Sequence, residues 1–171
     1  MKTNACKQSF FEISADLAVI ARFEDEAASA IETTVDERLQ GALAKTVERL
    51  RFKGKPRQVA SLDTLGQLPF GTIILVGLGK KAKVGPAGLR DAGAIAVKEA
   101  LTRHYTSVAI DGTLLAASET DQFVLGCRLG SYTFDEFQAA PEDGPKPTIS
   151  NIEVTGSDVT DASLARIEAI A

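Results

Sequence analysis

The stretch Thr72-Ile73-Ile74-Leu75-Val76-Gly77-Leu78-Gly79-Lys80-Lys81 constrains this chain more than any other. Its aliphatic run is continuous rather than alternating, which leaves no polar face to give to water. A β-branched run of this kind, flanked by turn residues, reads as a strand buried on both faces in the middle of a sheet covered by helices. Such a strand needs a sizeable domain around it. A length of 171 residues suffices for one compact domain and is short for two, so residues 1–171 are expected to form one.

The flanking segments fit that setting. After a polar start, residues 10–13 and 17–23 read as short strands. Thr34 and Glu37 form a capping box, and Val35, Leu39, Leu43, Val47 and Leu50 recur at helical spacing behind it. That helix is expected to run to Lys53-Gly54, where glycine supplies a left-handed end and Pro56 cannot continue the ladder. A short strand over 59–62 and turn chemistry at Leu68-Pro69-Phe70-Gly71 lead into the apolar run. Beyond it, Gly85-Pro86 opens a helix with Leu89, Gly93, Ala96, Val97, Ala100 and Leu101 on one face and Arg103 and His104 in the last turn. A strand over 107–111 completes a strand-helix-strand unit, the element of parallel sheets. Ser118 and Asp121 are read as the cap of a further helix through Phe123, Val124, Cys127 and Leu129. Gly126 and Gly130 lower its propensity but permit close packing. A breaker-rich loop over 139–147, an alternating strand over 149–154 and a helical pattern through Leu164, Ile167 and Ala171 end the chain. That last helix carries no stop signal, so the end is expected to fray or to continue into something longer.

Charge narrows the functional class. Nineteen basic and 23 acidic residues give a net charge of −4, without the overall footprint of a nucleic-acid binder. Cys6 and Cys127 have no metal or disulfide spacing and are read as free thiols in a reducing compartment. The N-terminal residues Met1 to Ser9 hold no apolar leader core and no segment approaches the length of a membrane span, so the expected location is cytoplasmic, with no membrane partner.

Several motifs carry chemistry in outline only. Gly77-Leu78-Gly79-Lys80-Lys81-Ala82 satisfies a dinucleotide pattern after a strand. However, Lys83-Val84-Gly85-Pro86 intervenes before the helix, and Asp111 stands beyond the usual distance for a ribose acid. The turn is therefore read as structural, with a nucleotide site as the minority alternative. His104 is the only histidine, which rules out a histidine-rich metal site within the chain and leaves little for a serine triad. The adjacent carboxylates Asp135 and Glu136 are read as solvated. Arg49, Arg51, Lys53, Lys55 and Arg57 put cations at alternate positions, read first as a helix terminus and solvated loop and second as a phosphate or DNA contact.

Taken in order, three segments resemble the N-terminal domain of the leucyl aminopeptidase (cytosol aminopeptidase) family. They are Arg51-Phe52-Lys53-Gly54-Lys55; residues 73–81 followed by Leu89-Arg90-Asp91-Ala92-Gly93; and Gly126-Cys127-Arg128-Leu129-Gly130-Ser131-Tyr132-Thr133-Phe134-Asp135. The similarity covers the chain from about Leu17 onward. The resemblance implies an α/β fold, a mixed β-sheet sandwiched by helices and similar to macro domains. It also implies that the final helix leads into a C-terminal catalytic domain absent from this chain. The family's enzyme releases N-terminal residues, notably leucine, from peptides with two divalent metals, zinc or manganese, and forms hexamers. Its metal ligands and catalytic Lys and Arg lie in the second domain, in a segment with no counterpart here. The resemblance therefore implies no catalytic, cofactor-binding or metal-binding residue in this chain, and a structural role in organising the assembly. The alternative is a free-standing macro-like module binding ADP-ribose or a related nucleotide at the glycine turn. Some bacterial members of the family bind DNA, to which the cation stripe would contribute.

Overall fold

The computed structural model of the protein describes residues 1–132, 147–156 and 158–170. In chain order the elements are β1 (Lys2–Cys6), a short 3-10 turn (Phe10–Glu12), β2 (Ala15–Phe23), α1 (Ala30–Arg38), α2 (Ala42–Arg49), β3 (Val59–Asp63), β4 (Phe70–Gly79), a second 3-10 turn (Lys81–Lys83), α3 (Pro86–Thr102), β5 (Ser107–Asp111), α4 (Ala117–Ser131), β6 (Asn151–Thr155) and α5 (Asp161–Ile170). The strands form one mixed sheet in the order β1-β6-β5-β2-β4-β3. Every neighbouring pair is parallel except β3 with β4. This is the expected α/β sandwich.

The apolar run of β4 is buried throughout from Thr72 to Gly79. Its alternate residues enter two cores. Ile74, Val76 and Leu78 pack with Leu89, Ala96 and Val97 of α3 and with Phe123 and Val124 of α4. Ile73 and Leu75 pack with Val35 of α1, Leu43 of α2 and Phe10. Burying each such aliphatic side chain contributes about 1.5–3 kcal/mol relative to exposure. β4 is nevertheless second from the sheet edge rather than at its centre, which β5 and β2 occupy. Helices on both faces bury a strand as fully there as in the middle.

Several local expectations are corrected. Residues 10–13 form no strand: the Ser9 N–H donates to Glu12 Oε2 at 2.8 Å and the Glu12 N–H to the Ser9 carbonyl at 2.9 Å, closing a turn. The helix expected from Thr34 begins five positions earlier, capped by Ser29, whose Oγ accepts from the Glu32 N–H. It is also two helices, broken where Gln40 and Gly41 both take positive φ, 53° and 82°. Ala116 and Glu119, not Ser118 and Asp121, begin α4, the Glu119 carboxylate reaching back to the Ala116 N–H at 2.9 Å. The polar start is β1, which pairs with β6 from Lys2↔Asn151 to Cys6↔Thr155. Arg103 and His104 follow α3 rather than ending it, with His104 at φ 58°.

The helix pair α3 and α4 packs as the small residues allow. A Cβ on Gly93 would stand 2.0 Å from the Phe123 carbonyl oxygen, and one on Gly126 would stand 2.0 Å from the Arg90 carbonyl oxygen. The two backbones touch there. The amino end of the sheet is tied by Asp16, whose Oδ2 accepts from the N–H and hydroxyl of both Thr106 and Ser107. Partial burial alone would raise the Asp16 pKa, but those hydrogen bonds outweigh it and the pKa lies below 3.8.

Candidate functional site

In open parallel sheets, crevices form beyond the carboxyl ends of neighbouring strands whose next helices go to opposite faces. Here β1 and β2 lead to the face of α1 and α2, whereas β4, β5 and β6 lead to the face of α3, α4 and α5. Two clefts occupy such positions. One, about 810 Å³, lies past β1 and β6 and is lined by Cys6, Gln8, Gly156, Asp158, Val159 and Asp161, among others. Its Asp161 carboxylate is already bound to the Ala5 N–H at 3.0 Å. The other, about 460 Å³, lies past β2 and β4, with Glu24, the Gly77-Leu78-Gly79 turn, Lys80 and Lys83 on one side and the first turns of α3 on the other.

The glycine turn at that second cleft has already committed its donors. The Gly77 N–H donates to the Gln58 carbonyl and the Gly79 N–H to the Gly54 carbonyl, both at 2.8 Å. Residues 53–58 thus lie as a strap along the end of β4, so close that a Cβ on Gly77 would be 2.0 Å from the Lys55 carbonyl oxygen. A phosphate cradle needs free amides at such a turn. The turn N–H groups of Gly77 and Gly79 are not free. The 3-10 turn Lys81–Lys83 then separates the glycines from α3, in line with the intervening residues in the sequence.

Three buried polar atoms near the carboxyl ends lack hydrogen-bond partners among the described residues: Arg22 Nε, Glu32 Oε2 and Asp111 Oδ2. Arg22 and Glu32 pair at 2.9 Å under the start of α1, with the guanidinium 5.9 Å from the Phe52 ring centroid. Burial raises the Glu32 pKa above 4.5, more than Arg22 lowers it, and nearby Asp36 adds to the rise. Asp111, at the end of β5, is 1% exposed. Its Oδ1 accepts from the N–H and hydroxyl of Thr113 at 3.0 and 2.7 Å, and burial raises its pKa despite those bonds. Buried groups of this kind mark either a satisfied structural corner or a reactive one. All three atoms are enclosed, and that burial is what raises the carboxyl pKa of Asp111 and Glu32, against the opposing pull of the Thr113 hydrogen bonds and of Arg22.

The residues singled out in the sequence do not converge. The five cations from Arg49 to Arg57 are all exposed, and Arg57 is held in a bidentate pair by Asp91 of α3, with Nε–Oδ2 2.7 Å and Nη2–Oδ1 2.9 Å. His104 is exposed beyond α3. Cys6 and Cys127 are free thiols, and full burial drives the Cys127 pKa far above its ordinary value. Asp135, Glu136 and the end of the Gly126 to Asp135 motif lie outside the described residues, as does most of the loop over 139–147. Among the described residues no three His, Cys, Asp or Glu side chains come together as a metal ion would need. No described helix is long and apolar enough to cross a membrane. Sequence reading missed Glu32, the Arg57–Asp91 pair and the strap. For Glu32 the signal was the alternation of β2, which puts Arg22 on the same face as Ala18 and Ile20 and so calls for an acid opposite.

Comparison with known proteins gives consistent matches. Residues 19–141 match the profile described as "Cytosol aminopeptidase family, N-terminal domain". The chain is 36% identical over 129 residues to a probable cytosol aminopeptidase of a Geobacter species, covering 73% of this chain and 26% of that protein. It is 31% identical over 152 residues to the probable cytosol aminopeptidase of Geobacter sulfurreducens, covering 86% of this chain and 31% of the relative. The chain thus spans between a quarter and a third of the length of these relatives. Among solved structures, a tomato leucine aminopeptidase mutant superposes with a TM-score of 0.82 at 23% identity, over 98% of this chain and 35% of that one. The macrodomain of Thermus aquaticus DarG superposes at 0.60 with 12% identity, over 90% of this chain and 97% of that one. These structural likenesses show a shared fold.

Proposed function

The chain belongs to the cytosol aminopeptidase family, as that family's N-terminal domain, and from this we propose that it is the noncatalytic N-terminal unit of a cytoplasmic leucyl aminopeptidase. In this reading the enzyme's peptide hydrolysis, and its two divalent metals, manganese or zinc, belong to a C-terminal catalytic domain that follows α5. The observation that carries the reading is the family match over residues 19–141 in a chain about a third as long as its relatives. The domain's own task is to shape a homo-hexamer and limit access to the active site. Its two-sided core, built around β4, suits a rigid spacer. Supplied with manganese or zinc and leucine amide, the 171-residue chain is expected to release no leucine. Measurable turnover abolished by a chelator overturns the assignment.

The second reading is a macro-like module that binds ADP-ribose. The cleft beside the glycine turn and the match to almost the full length of a macrodomain favour it. The occupied Gly77 and Gly79 amides weigh against it. Titration calorimetry with ADP-ribose separates the two, since saturable heat belongs to the module alone.

A further inference from the structure

The strap is built as a unit with a loose side. At one end Phe52 is 5% exposed and anchored in the core, and at the other β3 begins at Val59. Between them the Gln58 side chain accepts from the backbone N–H of both Lys53 and Lys55, at 2.9 and 3.1 Å, which braces the segment internally. Gly54 and Arg57 take positive φ, 76° and 66°. That conformation is ordinary for glycine and uncommon for arginine.

Two kinds of contact hold the strap down. Its carbonyls at Gly54 and Gln58 accept from the Gly79 and Gly77 N–H groups, and its Arg57 fork grips Asp91 across the mouth of the 460 Å³ cleft. The first contact faces the sheet. The second faces water, with the Arg57 and Asp91 side chains 73% and 40% exposed. An exposed pair of this kind is screened by salt, whereas the backbone bonds to β4 are not. Lys80 and Lys83 line the same cleft, so freeing Arg57 from Asp91 adds a third cation to it.

We propose that residues 53–58 are a salt-sensitive latch over the cleft between β4 and α3, moving as one braced segment and held shut by the Arg57–Asp91 pair. Opening breaks the Gly77 and Gly79 hydrogen bonds together, because both acceptors ride on the braced segment. The two cores lie outside the moving part.

Amide hydrogen exchange of the 171-residue chain, resolved by residue, reads this directly. In Asp91→Asn, Gly77 and Gly79 are expected to exchange about two- to fivefold faster than in the wild type, while Ile74 and Leu75 keep their rates. High salt is expected to give the same acceleration in the wild type and to add nothing in the variant. Arg57→Lys, which keeps the charge and loses the fork, should fall between. Unchanged Gly77 and Gly79 rates in both Asp91→Asn and high-salt wild type overturn the latch. So does an acceleration shared equally by Ile74 and Leu75, because the opening is then global.

Discussion

Gly77 and Gly93 face the same geometry in two different settings. A Cβ on either would stand 2.0 Å from a backbone carbonyl oxygen, that of Lys55 at the strap or that of Phe123 in α4. Gly93 meets a helix that is itself packed by Phe123, Val124 and Cys127, all 0% exposed. Gly77 meets a loop whose outer side is solvated. Close approach therefore does not by itself measure rigidity; what stands behind the neighbour does.

The largest effect follows at the helix pair. Gly93→Ala has no way to accommodate its methyl except by spreading α3 from α4, which also opens the Gly126 and Gly130 contacts on the same seam. The expected loss is about 2–3 kcal/mol, read as a lower denaturant midpoint with all probes moving together. A loss below about 0.5 kcal/mol would mean that the two helices slide easily, and the contrast with the strap would vanish.

Gly77→Ala is expected to have a smaller and more local effect. Its methyl displaces the Lys55 carbonyl, and the strap gives way as one braced segment. A loss of about 1 kcal/mol is expected, with the Gly79 amide exchanging freely and the α3 and α4 amides protected as before. If the helix amides are deprotected as well, the strap is part of the core, and the two glycines are equivalent after all.

The same distinction explains what could be read from the sequence. The continuous run of β4, the Gly85-Pro86 start of α3 and the strand at 107–111 were legible because each rests on local chemistry or on an unambiguous pattern. The helix expected to run from Thr34 to Lys53 was not two helices in the sequence, because Leu39 and Leu43 keep the helical spacing across the break at Gln40-Gly41. The helix stop read at Gly54 and Pro56 is misplaced: α2 ends at Arg49, and Arg51, at φ 52°, takes the left-handed end that glycine was expected to supply. The task of Gly54 and Pro56 over Gly77 and Gly79 was hidden, since it depends on residues more than twenty positions away that only the fold brings near. The site residues were the least legible for the same reason. Arg57 looks like one cation in a stripe until α3 supplies Asp91, and Glu32 looks like a first-turn acid until β2 supplies Arg22.

The smallest expected effect separates the two ends of the sheet by sign. Asp16, at the amino end, has its pKa held below 3.8 by hydrogen bonds to its ionised form. Its stabilisation is complete above that pH and is lost as pH falls through the lower native value. Asp111, at the carboxyl end, has its pKa raised above 3.8 by burial, so the native state holds its proton longer than the unfolded chain does. Stability from Asp111 is therefore present at acid pH and declines as pH rises from 3.8 through the raised native value. Relative to the wild type, Asp16→Asn should lose its disadvantage below pH 3.8, while Asp111→Asn should gain ground as pH increases above it, each by on the order of 1 kcal/mol or less. Denaturation midpoints measured across acid and neutral pH test both. Parallel slopes for the two variants would show that burial at the end of β5 is not what distinguishes Asp111, and that its unpartnered Oδ2 finds a donor in solution.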